Sequence, residues 1–132
     1  MFKYKDLRML VFTSIISIFL IIGMILFGLD GQRSKLIIGS IILIILLGMI
    51  LTKYNARIMP DSMMIYHFMY VGILPDFIEF KDITDYHLIS KHKFYVKTTH
   101  EYTLYLVNAN AFNDEFEETY KKYQENKINT EK

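Results

Sequence analysis

Two stretches of the chain carry no charged residue: 9–29, "MLVFTSIISIFLIIGMILFGL", and 36–52, "LIIGSIILIILLGMILT". At about 1.5 Å of rise per residue the first makes a helix of roughly 31 Å, the thickness of a bilayer's hydrocarbon core. The second reaches only about 25 Å on the same rise. It is therefore expected to recruit Ser34 and Lys35, the lysine stretching its ammonium toward the headgroups. Neither run is broken by the turn signals that bound buried strands of about four to eight residues. The first is also too long for the apolar core of a cleaved signal peptide, and no small-residue cleavage site follows it. The two runs predict transmembrane helices over about 9–29 and 34–52, so that residues 1–53 form a helical hairpin.

The connection "DGQRSK", residues 30–35, opens on the turn dipeptide Asp-Gly and is short, which makes the two helices antiparallel neighbours. Lys3, Lys5 and Arg8 precede the first run and Lys53 and Arg57 follow the second, against Arg33 and Lys35 in the connection. Basic residues are retained on the cytoplasmic side, so this bias predicts both termini in the cytoplasm. The absence of cysteine fits a reducing compartment for the tail. Thr13 and Ser17 make a small-xxx-small step suited to close helix approach, and no ionisable side chain lies inside either run to relay protons or ions.

From Tyr54 onward the texture changes to short runs of β-branched and aromatic residues. "ARIM" and "SMMIYHF" flank a Pro60-Asp61 turn, and Pro75-Asp76 is expected to break "YVGILPDFIEF" so that "FIEF" remains as a strand. "DITDYHLI", "KFYVKT" and "YTLYLVN" follow, the last two joined across "THE". "NAFNDEFEETYKKYQ" then places Phe112, Phe116, Thr119, Tyr120 and Tyr123 on one helical stripe. Asn110 is the expected N-cap, acidic residues crowd the early turns and Lys121 and Lys122 sit late. Residues 125–132 are polar and read as a flexible tail. The fold class is α+β: a two-helix hairpin, about six short strands over 54–124, and an amphipathic helix whose aromatic stripe covers the sheet.

This layout resembles the bacterial pleckstrin-homology-like (PH-like) domains fused to paired transmembrane helices. The resemblance rests on "ARIMPDSMMIY" as opening hairpin, "FIEFKDITDYHLI", "YTLYLVN" and the closing "NAFNDEFEETYKKY" helix. It implies a bent antiparallel sheet or barrel capped by the C-terminal helix, serving as a binding platform in a bacterial cytoplasmic membrane, and it brings no catalytic residues with it. It further implies an accessory or scaffold role, with self-immunity against a membrane-active bacteriocin, or service as a transporter's accessory subunit, as alternatives.

Chemistry is sparse. His87, His92 and His100 fall within fourteen residues, yet they lack the i, i+4 spacing of a helical ligand pair and no cysteine assists. Asp76, Glu79, Asp82 and Asp85 sit at turns or alternate with apolar neighbours rather than lining a pocket. No nucleophile elbow or phosphate-cradling glycine loop occurs, so neither an enzyme nor a cofactor or metal site is expected. Lys91, His92, Lys93 and Lys97 form the basic cluster of the tail. Lys91, Lys93 and Lys97 are the candidate headgroup contacts, at about 1 kcal/mol per well-placed basic residue. An ordinary solvated hairpin reads the same way. Residues 53–132 hold 10 Lys/Arg against 12 Asp/Glu, which lacks the basic footprint of a nucleic-acid binder. In the first hairpin Arg57 stands alone, against the several basic residues with which eukaryotic PH domains hold phosphoinositides. The expected partners are the membrane and a protein or an anionic lipid.

Overall fold

The computed structural model describes residues 3–69 and 72–132. It divides into two units: Arg8–Lys53 on one side, and Met1–Leu7 together with Tyr54–Lys132 on the other.

In the first unit lies a helix pair, α1 (Leu7–Leu29) and α2 (Arg33–Thr52), both long and apolar enough to cross a membrane. The connection is tighter than the six residues expected. The Gln32 carbonyl already accepts from Lys35 and Leu36, so the helix opens at Arg33, and Gly31 takes the turn at φ 71°. Large apolar side chains stand open around both helices, Phe19 at 70% and Ile44 at 69% exposure. Ser14, Ser17, Ser40 and Thr52 each donate to the carbonyl four residues back, so these hydroxyls need no water. Thr13 and Ser17, one small-xxx-small step apart, are buried. A Cβ on Gly39 would meet the Met24 side chain at 2.8 Å, so Gly39 is where a larger residue would not fit without a shift.

The second unit holds β1 (Arg57–Ile58), β2 (Ser62–Met69), β3 (Gly72–Glu79), a 3-10 turn (Phe80–Asp82), β4 (Asp85–Ser90), β5 (Lys93–Lys97), β6 (Glu101–Tyr105) and α3 (Ala109–Thr130). The α+β class stands. The strands form two antiparallel sheets, β1-β2-β3 and β4-β5-β6, which do not close into a barrel. β3 does not break at Pro75-Asp76. It is an outer strand, where a proline's missing N–H removes no ladder bond, and Pro75 pairs with Tyr66 in unbroken register. Phe80, expected to end a strand, instead begins the 3-10 turn. The N-cap of α3 is Asn108 rather than Asn110: its side chain accepts from Ala111 N–H at 3.1 Å. The helix then continues through the polar segment 125–130.

Residues 3–6, read from sequence only as a charged flank, are part of this domain. Lys5 bridges Asn55 and Asp6 bridges Leu106, so the segment lies between the chain before β1 and the chain after β6 and joins the two sheets. Four backbone bonds hold it: Asp6 N–H to Tyr54 O at 2.8 Å, Ala56 N–H to Tyr4 O at 2.9 Å, Val107 N–H to Lys5 O at 3.1 Å and Asn108 N–H to Lys3 O at 2.8 Å. The Tyr4 ring packs edge-on against Phe112, and its hydroxyl donates to the Ala111 carbonyl and the Glu115 carboxylate. Burial, then the bond to Glu115, pushes the Tyr4 hydroxyl above the usual tyrosine range, while burial lowers Lys5.

A tyrosine whose pKa is higher folded than unfolded contributes stability that is complete below the unfolded value, about 10, and is lost as pH rises beyond it. Lys5 acts in the opposite sense, since its neutral form suits the fold. Tyr4→Phe is therefore expected to lower the melting temperature at neutral pH, yet to lose less than wild type when pH is raised from about 9 to about 11. Parallel melting curves across that range would show that the hydroxyl is not engaged.

Inside, α3 lays Phe112 and Phe116 onto the sheets, both fully buried with Met63, Phe80, Phe94 and Val96. The aromatic stripe expected for this helix is the one that faces the core, with Tyr120 and Tyr123 packed against it from the rim.

Candidate functional site

Along β5 the side chains alternate, Phe94 and Val96 inward and Lys93, Tyr95 and Lys97 outward, as the period of a strand requires. Lys91 and His92 form the turn before it. That turn is tied to the start of α3: Leu106 N–H donates to the His92 carbonyl and Ala109 N–H to the Lys91 carbonyl, each at 2.9 Å. The His92 Nδ1 lies 2.9 Å from the Val107 carbonyl and 3.2 Å from that of Leu106. Both neighbours are acceptors, so the ring satisfies them only with its proton on Nδ1. His92 thus locks the turn that carries Lys91 and Lys93.

The three candidate lysines do not form one patch. Lys93 stands beside the turn with its ammonium 5.5 Å from the centre of the Tyr105 ring. Lys97 is at the far end of the strand, directly opposite Asp85 on one side and Glu101 on the other. Both cross-strand neighbours of Lys97 are thus acidic, which offsets its charge at that end of the strand. Lys91 and Lys93 remain as the basic end of the hairpin.

The other histidines are dispersed. His87 packs on Tyr95 at 4.7 Å with Asp85 4.0 Å away, His67 meets the edge of Tyr102 at 5.2 Å, and His100 shapes the β5–β6 turn through Thr98. Among the described residues no group of three or more His, Asp or Glu side chains converges to hold a metal ion. Of the acidic residues, Asp76 accepts from the Tyr102 hydroxyl at 3.2 Å, and Glu79 pairs with Lys81 at 2.5 Å on the surface. Glu79 and Asp82 border an open cleft of about 280 Å³ between β3 and the β5–β6 turn, with Phe77, Thr98 and Tyr102 on its other sides. Burial, then the neighbouring Asp76, raises the Tyr102 hydroxyl above the usual tyrosine range.

Sequence reasoning missed Tyr4, Lys5 and Asp6 as parts of the domain. The usable signal was Tyr4, an aromatic residue set between Lys3 and Lys5 beside an apolar run. No family model, no curated protein and no solved structure matches the chain.

Proposed function

We propose that this protein is a non-enzymatic, membrane-anchored binding module, its strand-and-helix domain held at the cytoplasmic face of a bacterial membrane by the α1–α2 hairpin. The observation that carries this reading is the construction of the domain from both flanks of the helix pair. Residues 3–6 on one side and 54–56 on the other are bonded to each other. A domain tied to both flanks of its anchor is restricted to the membrane surface, where a partner is met at high effective concentration. The PH-like resemblance points the same way. The partner is a protein or an anionic lipid, and Lys91 and Lys93 are the residues that would meet headgroups.

Hydrogen exchange on the full chain reconstituted in vesicles tests the lipid contact. Anionic lipid is expected to slow exchange at residues 91–93 relative to neutral lipid, and Lys91→Gln with Lys93→Gln should remove the difference. Lys97→Gln should leave it in place. Identical exchange in both lipids would assign binding to a protein partner instead, with outer strand β3 as the receiving edge.

Orientation is tested separately. The chain has no cysteine, so single cysteines at Gln32 and Asn126 are unambiguous reporters. An impermeant thiol reagent on intact cells is expected to label the first and spare the second. Labelling at position 126 would reverse the assignment.

A further inference from the structure

The pair α1–α2 carries a groove of about 360 Å³ along its flank. Ile16, Phe19, Leu20 and Phe27 of α1 form its walls. Gly23 lies midway between Phe19 and Phe27 at four-residue steps, so the three share one face of the helix. A Cβ on Gly23 would meet the Phe27 ring at 3.9 Å, an ordinary contact, so the glycine leaves a notch that a larger side chain would fill. Gly39 closes the groove from α2, with the Met24 side chain laid against it.

This groove has a length and a charged end. From Ile16 to Phe27 it runs about 16 Å along α1, and one leaflet of a bilayer's hydrocarbon is roughly 15 Å deep. Phe27 is in the last turn of α1, so the groove reaches from mid-span to the hairpin tip. At that end Lys35, in the first turn of α2, holds its ammonium 4.6 Å from the centre of the Phe27 ring. The ring keeps the cation at the groove's mouth. Among the described residues no carboxylate pairs with it. A cation beside hydrocarbon is costly, and an anion at the same level offsets that cost.

We infer that the groove holds one acyl chain of an anionic phospholipid, whose phosphate meets the Lys35 ammonium in the leaflet around the hairpin tip. This rests on the membrane reading proposed above. Length and charge both select a lipid over a second copy of the hairpin. A neighbouring helix pair would make contact across the whole hydrocarbon, about twice the groove's length. A parallel copy would also bring its own Lys35 to the level that already carries one, and like charges repel. The lipid chain instead fills the notch at Gly23, and its phosphate accepts a charge-assisted hydrogen bond from the lysine.

The chain contains no tryptophan, so one introduced residue reports alone. Phe19→Trp places the reporter on the groove wall. Ile44→Trp places it on α2 outside the groove, at a similar depth of roughly 15–17 Å from the tip end of its helix. Each variant of the full chain is reconstituted in phosphatidylcholine vesicles holding a minor share of lipid with brominated acyl chains, either phosphatidylglycerol or phosphatidylcholine. At Phe19→Trp the brominated phosphatidylglycerol is expected to quench with about fivefold higher affinity, the yield of one well-placed lysine. At Ile44→Trp the two lipids should quench alike. Adding Lys35→Gln, or Gly23→Leu to fill the notch, should remove the preference, whereas Arg33→Gln at the same tip should leave it in place. Equal quenching by both lipids at Phe19→Trp overturns the site, as does a preference that survives Lys35→Gln or appears equally at Ile44→Trp. If Phe19→Trp is shielded from both lipids while Ile44→Trp is quenched, the groove belongs to a second copy. In each of these cases quenching at Ile44→Trp keeps the anchor. If neither reporter is quenched, the membrane reading falls, and the lipid site with it.

Discussion

A chain in which a short Gly/Ser linker replaces residues 8–53 is expected to fold as a soluble domain, and removing residues 1–7 from it should abolish its cooperative thermal transition. The linker can be short because Asp6 N–H already lies 2.8 Å from the Tyr54 carbonyl. Deletion takes away four backbone hydrogen bonds, at about 1 kcal/mol net each, and uncovers the edges of two sheets at once. It also removes the Tyr4 ring from Phe112, an edge-on contact worth about 0.5–1.5 kcal/mol beyond its buried area. The total is on the order of 5 kcal/mol, comparable with the whole stability of a small domain. Tyr4→Ala in the linked form should fall between the two. Equal melting temperatures with and without residues 1–7 would mean that the segment decorates the fold rather than completing it. The same expectation warns against working with residues 54–132 alone, since that fragment lacks the bridging segment 3–6.

The legible parts of this molecule are those in which one physical cause acts over many residues. The apolar runs at 9–29 and 36–52 identify α1 and α2 because hydrophobicity sums over twenty positions. The stripe Phe112, Phe116, Tyr120 and Tyr123 identifies α3 because a helical period repeats. The order of the short strands is likewise legible from the turn residues that flank them. What sequence misplaced are features decided by a partner elsewhere in the chain. Pro75 is a turn signal in isolation and an acceptable edge residue once β3 is known to be outermost. Asn108 and Asn110 are equally good caps until one side chain reaches Ala111. Lys97 belongs to a basic cluster by spacing, but the register sets it between Asp85 and Glu101. Lys5 and Asp6 resemble ordinary membrane-flanking charges, and only pairing with residues 55 and 106 shows them buried in a sheet junction.

Phe116 is where the separate layers meet, and Phe116→Ala is expected to cost about 3–5 kcal/mol. Its ring is fully buried. The centres of Phe80, Tyr86, Phe94 and Tyr120 lie 5.6, 4.8, 5.5 and 5.4 Å away. Those four neighbours come from the 3-10 turn after β3, from β4, from β5 and from α3, so no single element can move to fill the space. The truncation leaves a cavity between elements, and the measured cost belongs at the upper end of the range for that reason. For a domain of this size about 1 kcal/mol shifts the melting temperature by roughly 4–8 °C, so a fall of more than about 10 °C is expected in the linked soluble form. Phe116→Leu, which restores most of the volume without the ring contacts, should recover part of it. Ile128→Ala serves as the control on the same helix. Ile128 is 56% exposed, and its loss should stay within about 0.5 kcal/mol. Equal melting temperatures for Phe116→Ala and Ile128→Ala would mean that α3 does not close the core, and the two sheets would then need another cover.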